Sequence, residues 1–312
     1  VHLTLFHGRG GSASRGGASA HAALLSQPPG SINGSVRVTE QGEVIQFKFG
    51  LQAIAEENIE LYTAGVLEAT LMPQANPKPE WRDMMAQLSD SSVEEYRRIV
   101  HNDPRFVPYF RTVTPEQELR RLALGSRPAK RKASGGVESL RAIPWVFAWT
   151  QMRLMLPAWL GTGLAMAKQI DEGKLQQLQS MAQEWHFFGM LLDMQEMVMA
   201  KTEVRVASYY EQRLLEDESQ KSLGDELRAG VAQAQSVLQT ISGKDLLAHR
   251  PILKRSVELR NPYVDPLNIT QVEVMRRLRQ LGEDDNSALK KGLEQALMVS
   301  IGGIAAGLRN TG

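Results

Sequence analysis

The chain contains no cysteine in 312 residues. That excludes a disulfide scaffold, thiolate metal ligation and a cysteine nucleophile, and it suits a reducing compartment such as the cytosol. Charge of one sign is also missing: 36 Lys+Arg against 35 Asp+Glu leave a net charge of +1, so no bulk pull toward nucleic acid or a membrane surface follows. There is no long hydrophobic run. Leu154–Ala167 is uncharged but broken by Pro157, Gly161 and Gly163, and it falls short of the ~18–20 residues that span a bilayer. The histidines (His2, His7, His21, His101, His186 and His249) show no metal-ligand spacing, and no Ser-His-Asp set stands out. No repeat at a period of roughly 20–50 residues points to a solenoid. An opening Met and a charged-then-apolar leader are absent as well. The start, VHLTLFHG, reads as the middle of a β-strand, and the chain is expected to be a piece of a longer one.

What is present is ordinary globular material, 42% hydrophobic and 23% charged, which excludes disordered and low-complexity classes. At roughly 100–200 residues per domain, one large domain or two are expected. Residues 1–6 alternate as a strand and run into a glycine-rich loop, Gly8–Gly17. A helix is predicted over residues 18–25, stopped by Gln27-Pro28-Pro29-Gly30. Val36–Thr39 and Val44–Phe49 read as strands around Gln41-Gly42, with Ile45, Phe47 and Phe49 on one face. After that the pattern is helical. Ile54, Ile59, Tyr62, Val66 and Ala69 form a stripe in 51–71, and Trp81, Met84, Met85 and Leu88 open the next helix after a connector, Pro73–Pro79. Thr114-Pro115-Glu116-Gln117 is a helix start with Thr as N-cap and Gln closing a capping box. Asp265-Pro266 reads as another start, followed by Leu267, Gln271, Val274, Leu278 and Leu281 at helical spacing. Pro144 either ends a short strand or opens a helix. A few strands among long helical stretches predict part of an α/β barrel carrying a large helical body.

Four features can carry chemistry. In the segment His7–Gly17, the glycines Gly8, Gly10, Gly11, Gly16 and Gly17 remove the steric bar to positive φ and expose backbone N–H groups. Arg9 and Arg15 add forked donors for phosphate or carboxylate. The reading is a loop that closes over an anion, against a plain surface linker. Nucleotide-loop templates fail, because Ala13 stands where the later Gly is needed and Gly16 is followed by Gly-Ala rather than Lys-Ser/Thr. A second loop gathers Arg127, Lys130, Arg131 and Lys132 between glycines. Alone it reads as a solvated basic loop, and without interleaved aromatics it makes a poor nucleic-acid patch. Third, Arg141 sits in an apolar run beside Trp145, Phe147 and Trp149. It either snorkels to water or is buried with an anion. Fourth, Lys201 continues a stripe of Met190, Met194 and Met197. The methionines read as core packing, and the lysine as a cation near a helix C-terminus or an anchor for an acidic ligand. Carboxylates such as Asp193 and Glu196 read as solvated. The small residues of Gly302–Gly312 predict close helix packing that fixes the C-terminus.

Taken together, FHGRGG (6–11) with the later RGG (15–17), LLSQPP (24–29), RVTEQGEV (37–44), PEQEL (115–119), LGSRPAKR (124–131), GGVESLRAIPWVFAWTQ (135–151) and GIAAGLRNTG (303–312) resemble the phosphoenolpyruvate carboxylase family of the bacterial type. The resemblance runs the whole length in the same order and corresponds to about the C-terminal third of that enzyme. It implies an α/β barrel, here the C-terminal part of a TIM-like barrel, with a large, mainly α-helical body, predominantly helical overall. Residues 1–150 would hold the strands and active-site loops, and 151–312 the helical region with the inhibitor site and tail. The implied reaction is carboxylation of phosphoenolpyruvate by bicarbonate to oxaloacetate and phosphate, an anaplerotic step feeding the tricarboxylic acid cycle, in a cytoplasmic homotetramer built as a dimer of dimers.

By the same resemblance, Arg9 and Arg141 clamp phosphate and carboxylate, with Arg127 and His7 in the catalytic set and the glycines of 8–17 forming a mobile loop. Aspartate or malate would inhibit by binding Arg15, Lys201, Arg260 and Asn310. Since Arg15 shares a loop with Arg9, inhibitor binding would draw Arg9 off the active site. Mg2+ or Mn2+ is the implied cofactor. Its ligands, with a further catalytic His and Arg, are expected in the part of the family's sequence that precedes Val1, so this chain alone is expected to be inactive. Ala13, Ser14 and Ser19 depart from the family pattern in the loop. The alternative is a stand-alone, non-catalytic dicarboxylate-binding module. Neither nucleic acid nor a membrane is an expected partner.

Overall fold

The structure, a computed structural model, describes residues 20–38, 42–119, 142–281, 285 and 287–308. Among these residues every regular element is a helix, with no strand. It divides into two compact units, one from residues 1–86 and 173–197, the other from residues 87–172 and 198–310.

In the first unit, α1 (Ala20–Leu25) packs on α3 (Gln52–Leu71). Gly65 makes the approach possible: a Cβ there would lie 2.7 Å from Leu24 Cδ1. His21 Nε2 and Glu68 Oε2, 2.9 Å apart, fasten the same pair. The expected second strand, Val44–Phe49, is instead helix α2 (Gly42–Phe49). Ile45 and Phe49 are spaced i, i+4, which suits one helix face as well as one strand face, so a short alternating run is ambiguous. Tertiary contact decides it: Lys48 Nζ donates to Tyr62 OH at 3.2 Å, and Asn58 Nδ2 donates to the Lys48 carbonyl at 3.2 Å. Val36–Val38 has no regular structure. The stripe read along α3 is only partly buried. Tyr62 and Val66 are half-buried, but Ile54 and Ile59 face solvent, as do Leu51, Leu67, Leu71 and Met72. Apolar side chains surround this helix, and only the face through Gly65 meets α1.

The start of α4 (Pro79–Arg97) follows the connector as expected. Trp81 stacks on Trp185, with ring centroids 6.3 Å apart, between α10 (Leu175–Glu184) and α11 (His186–Lys201). Lys78 Nζ lies 4.3 Å from the Trp81 ring and pairs with Glu184 at 3.0 Å.

In the second unit, α4 passes through a π-helical turn (Arg98–Asn102) toward α5 (Phe106–Val113). Thr114 caps α6 (Glu116–Leu119), its Oγ1 accepting from Glu116 N at 3.3 Å. Pro144 falls in the first turn of α7 (Ala142–Gln151), where its missing N–H costs nothing. Phe106 and Phe110 pack against Trp145 and Trp149 with centroids 5.0–6.1 Å apart. Beyond α8 (Leu156–Trp159), α9 (Thr162–Asp171) crosses α13 (Glu218–Ser242) where Gly163 lies against Ala234. Between them in sequence, α12 (Val204–Leu214) is capped by the Glu203 carboxylate, which accepts from Arg205 N at 3.1 Å.

The expected helix start at Asp265-Pro266 is the middle of α14 (Pro251–Gln280), which runs through both Pro262 and Pro266. A proline in a helix interior removes a hydrogen bond and favours a break. Here the helix is held by side-chain bonds at Asn261 and Asp265, on either side of Pro262, and α15 (Ala288–Leu308) lies along it. A Cβ on Gly303 would lie 2.9 Å from Leu267 Cδ1, and one on Gly307 would lie 2.5 Å from Val264 Cγ2. The small residues of the last helix thus do bring it into close contact. Leu267, Gln271, Val274 and Leu278 face inward as the spacing predicted, with Gln271, Val274 and Leu278 buried.

Candidate functional site

The site is organised by a residue that the sequence pattern did not single out. Arg153 lies in the turn between α7 and α8, has no exposed surface and takes a left-handed backbone conformation (φ 61°). Such a conformation is uncommon for a residue with a Cβ and persists only where its surroundings hold it. Three acceptors do so. Arg153 Nε donates to the Lys201 carbonyl at 2.8 Å, Nη1 to Asp265 Oδ1 at 2.8 Å, and Nη2 to Asn261 Oδ1 at 3.0 Å. Its own carbonyl accepts from Glu203 N at 2.9 Å. One guanidinium therefore joins the end of α11 to the proline-containing middle of α14. Burial pulls its pKa below the usual arginine range, opposed by the Asp265 carboxylate. A buried cation this well paired is costly to disturb, because each lost partner leaves charge or dipole uncompensated.

Two of the predicted ligand anchors lie on either side of this clamp. Lys201 is the last residue of α11 and only 7% exposed, and Arg153 holds its carbonyl. Arg260 precedes Asn261 on α14. It is half-buried, with Nε donating to Ser256 O at 2.7 Å and Nη1 to Gly307 O at 3.2 Å. The second of these bonds reaches the end of α15, just ahead of the tail that contains Asn310. Cations at a helix C-terminus, as Lys201 is, are favoured by the unpaired carbonyls there. Guanidinium forks match carboxylates geometrically. Of the Met stripe read as core, Met197 is buried and Met190 and Met194 are half-buried, while Glu196 is 3% exposed rather than solvated and Asp193 is half-buried.

A buried polar network fixes α14 further along. Tyr210 OH donates to Gln271 Oε1 at 2.7 Å, Asn268 Nδ2 to Gln151 O at 2.6 Å, and Gln271 Nε2 to Gln151 Oε1 at 2.9 Å. Burial pushes the Tyr210 phenol well above its ordinary pKa. A second buried set joins Tyr109 OH to Glu211 Oε1 at 2.7 Å, with Arg228 against the same carboxylate. Toward the end of α14, Arg279 donates to the carbonyls of Thr112 and Thr114 and to Glu118. An open groove of about 480 Å³ between α12 and α13 is lined by Arg205, Ser208 and Arg228 among others, and contains neither Lys201 nor Arg260.

The remaining predicted residues (His7, Gly8, Arg9, Gly10, Gly11, Arg15, Gly16, Gly17, Arg127, Arg141 and Asn310) lie outside the described residues. Among the described residues, no group of three or more His, Asp or Glu side chains comes together to hold a metal ion.

The comparisons with known proteins bear on the whole length. The family model described as phosphoenolpyruvate carboxylase matches residues 1–312. The chain belongs to the phosphoenolpyruvate carboxylase family. It is 56% identical over 313 residues to the phosphoenolpyruvate carboxylase of Acinetobacter baylyi and 55% identical over 314 residues to that of Chromohalobacter salexigens. The Klebsiella pneumoniae protein of the same name is 55% identical over 313 residues. In each case the match covers 100% of this chain and 35% of the relative. The chain thus spans about a third of the length of the phosphoenolpyruvate carboxylases it matches. No helix among the described residues is long and apolar enough to cross a membrane.

What sequence reading missed was Arg153, together with the buried hydrogen-bonding residues Tyr210 and Glu211. Arg153 carried a usable signal. It is a lone charge between Met152 and the uncharged stretch from Leu154, the same kind of signal that drew attention to Arg141.

Proposed function

We propose that this chain forms the C-terminal third of a phosphoenolpyruvate carboxylase. The complete protein joins phosphoenolpyruvate and bicarbonate to give oxaloacetate and phosphate, and it is inhibited by aspartate or malate. The observation that carries the reading is the family match across residues 1–312 at 55–56% identity to its relatives. The exposed apolar residues Leu51, Ile54, Ile59, Leu67, Leu71 and Met72 around α3 fit the fragment reading, since the relatives have about twice as much chain again.

In this reading residues 1–150 contribute strands and loops to an α/β barrel, and residues 151–312 form the helical region with the inhibitor site. Bicarbonate attacks the phosphoryl group, giving carboxyphosphate and an enolate. CO2 is then released and captured by the enolate. Arg9 and Arg141, with Arg127 and His7, supply preorganised positive charge and hydrogen bonds where negative charge develops. The glycine-rich loop 8–17 closes to exclude water, which would protonate the enolate. The family reading brings in Mg2+ or Mn2+. The described residues offer no cluster to hold it. Aspartate or malate binds Arg15, Lys201, Arg260 and Asn310. Through Arg15 it withdraws the loop that carries Arg9. The working protein is a cytoplasmic homotetramer, a dimer of dimers.

In the full-length protein, Arg9→Ala is expected to lower turnover by several orders of magnitude with the fold intact. Near-normal phosphate release would overturn the assignment of the loop. Lys201→Ala or Arg260→Gly is expected to raise the aspartate concentration needed for half-inhibition, with turnover kept. An unchanged inhibition curve would remove the inhibitor assignment.

A further inference from the structure

We infer that Arg153 is a positioning residue for the inhibitor site, setting the separation between Lys201 and Arg260 without touching the inhibitor. The inference rests on the dicarboxylate reading of those two anchors.

A dicarboxylate has a fixed span, so its affinity depends on how well two cationic anchors are held at the matching distance before it arrives. Preorganisation of this kind raises affinity by removing an ordering cost. Lys201 and Arg260 belong to different helices, α11 and α14, and each is exposed to displacement in its own way. Lys201 ends its helix, where backbone bonds run out. Arg260 sits next to Pro262, where the α14 ladder loses a donor.

Arg153 compensates both weaknesses at once. Its Nε takes the Lys201 carbonyl, and its carbonyl takes Glu203 N, so the turn leaving α11 is gripped at both ends. Its Nη groups take Asn261 and Asp265, which bracket Pro262 on α14. The planar fork presents its donors in a fixed geometry to all three acceptors, which a flexible ammonium does not do. The side chain has no exposed surface, so it does not itself contact a ligand arriving from solvent. Its effect on inhibition is therefore indirect.

The test uses the full-length enzyme with L-aspartate and L-malate as probes. Arg153→Lys keeps the charge and loses the fork. It is expected to raise the half-inhibiting concentration of both by about tenfold or more, with kcat and KM for phosphoenolpyruvate within about twofold of the parent. Asn261→Ala removes one arm from the partly exposed side and leaves Arg153 paired with Asp265. It is expected to shift inhibition in the same direction by about threefold, and it decides the matter if Arg153→Lys does not fold. A purely structural role would lower kcat and thermal stability without a selective shift in inhibition, and that result overturns the proposal. Lys201→Ala separates the two levels of inference. If it relieves inhibition while Arg153→Lys and Asn261→Ala do not, the positioning role fails and the inhibitor site stands. If Lys201→Ala also leaves inhibition unchanged, the inhibitor site itself fails.

Discussion

Gly65 of α3 admits Leu24 of α1 to where a Cβ would sit, and Gly303 and Gly307 of α15 admit Leu267 and Val264 of α14 in the same way. The two helix pairs, one in each unit, share this device and differ in everything around it. Around α14 the inward face meets a buried polar network (Gln151, Tyr210, Asn268, Gln271) and the Arg153 clamp, while Ile252, Leu259, Tyr263 and Ile269 lie exposed on its outer side. Around α3 the remaining faces carry Leu51, Ile54, Ile59, Leu67 and Leu71, with Leu71 at 75% exposure. Close glycine contact brings two helices together but does not complete a core. Completion takes a third and fourth element. Among the described residues α14 packs chiefly against α12 and α15, and α3 chiefly against α1 and α2.

The largest effect that separates the two regions is expected at Trp149. It is fully buried and packs against Phe106, Tyr109 and Phe110. Trp149→Ala removes that contact and leaves a cavity, so a loss of about 3–5 kcal/mol is expected. Leu71→Ala, on the open side of α3, is expected to cost less than about 0.5 kcal/mol, as exposed substitutions usually do. Denaturant unfolding of the chain measures both. A Leu71→Ala cost near that of Trp149→Ala would mean that α3 is covered after all, and the contrast would collapse.

Part of the fold was open to sequence reading, and the part that was not has physical causes. Long helices with strong starts were legible. Residues 51–71 and the helix opened by Trp81 and Met84 appear as read, and Thr114 caps its helix through its own hydroxyl. Short elements were not. Ile45 and Phe49 satisfy both a strand and a helix pattern, and contacts with Tyr62 and Asn58, distant in sequence, settled the matter. Asp265-Pro266 carries every local mark of a helix start, yet α14 runs through it because Arg153 and α15 hold it. Local propensity is a weak prior that tertiary contacts override. At the candidate site, Lys201 stood out as a cation continuing a methionine stripe, and Arg260 entered only through family resemblance. Nothing local ties a lysine after a methionine stripe to an arginine far along the chain. The link is Arg153, whose bonds reach across sequence separations of 48, 108 and 112 residues, beyond any periodicity argument.

The finer test of the comparison lies in the glycines themselves, because their neighbours differ in stiffness. At Gly307 an added methyl meets Val264 Cγ2 at 2.5 Å. Valine is β-branched and holds one strongly preferred rotamer in a helix, so it cannot turn aside, and the helices must separate. Overpacking of this kind costs about 1–3 kcal/mol, against up to ~1 kcal/mol gained by alanine's helix propensity. Gly307→Ala is therefore expected to destabilise by about 1–2 kcal/mol, with a weakened Arg260 bond to the Gly307 carbonyl. At Gly65 the methyl meets Leu24 Cδ1 at 2.7 Å, the far end of a side chain with two rotatable bonds. Leu24 can swing, and the propensity gain offsets the rest. Gly65→Ala is expected within about 0.5 kcal/mol of zero. Equal costs at the two glycines, measured by the same unfolding experiment, would show that backbone closeness alone sets the penalty. A larger cost at Gly307 would show that the α14–α15 contact has less room to adjust than the half-covered α3.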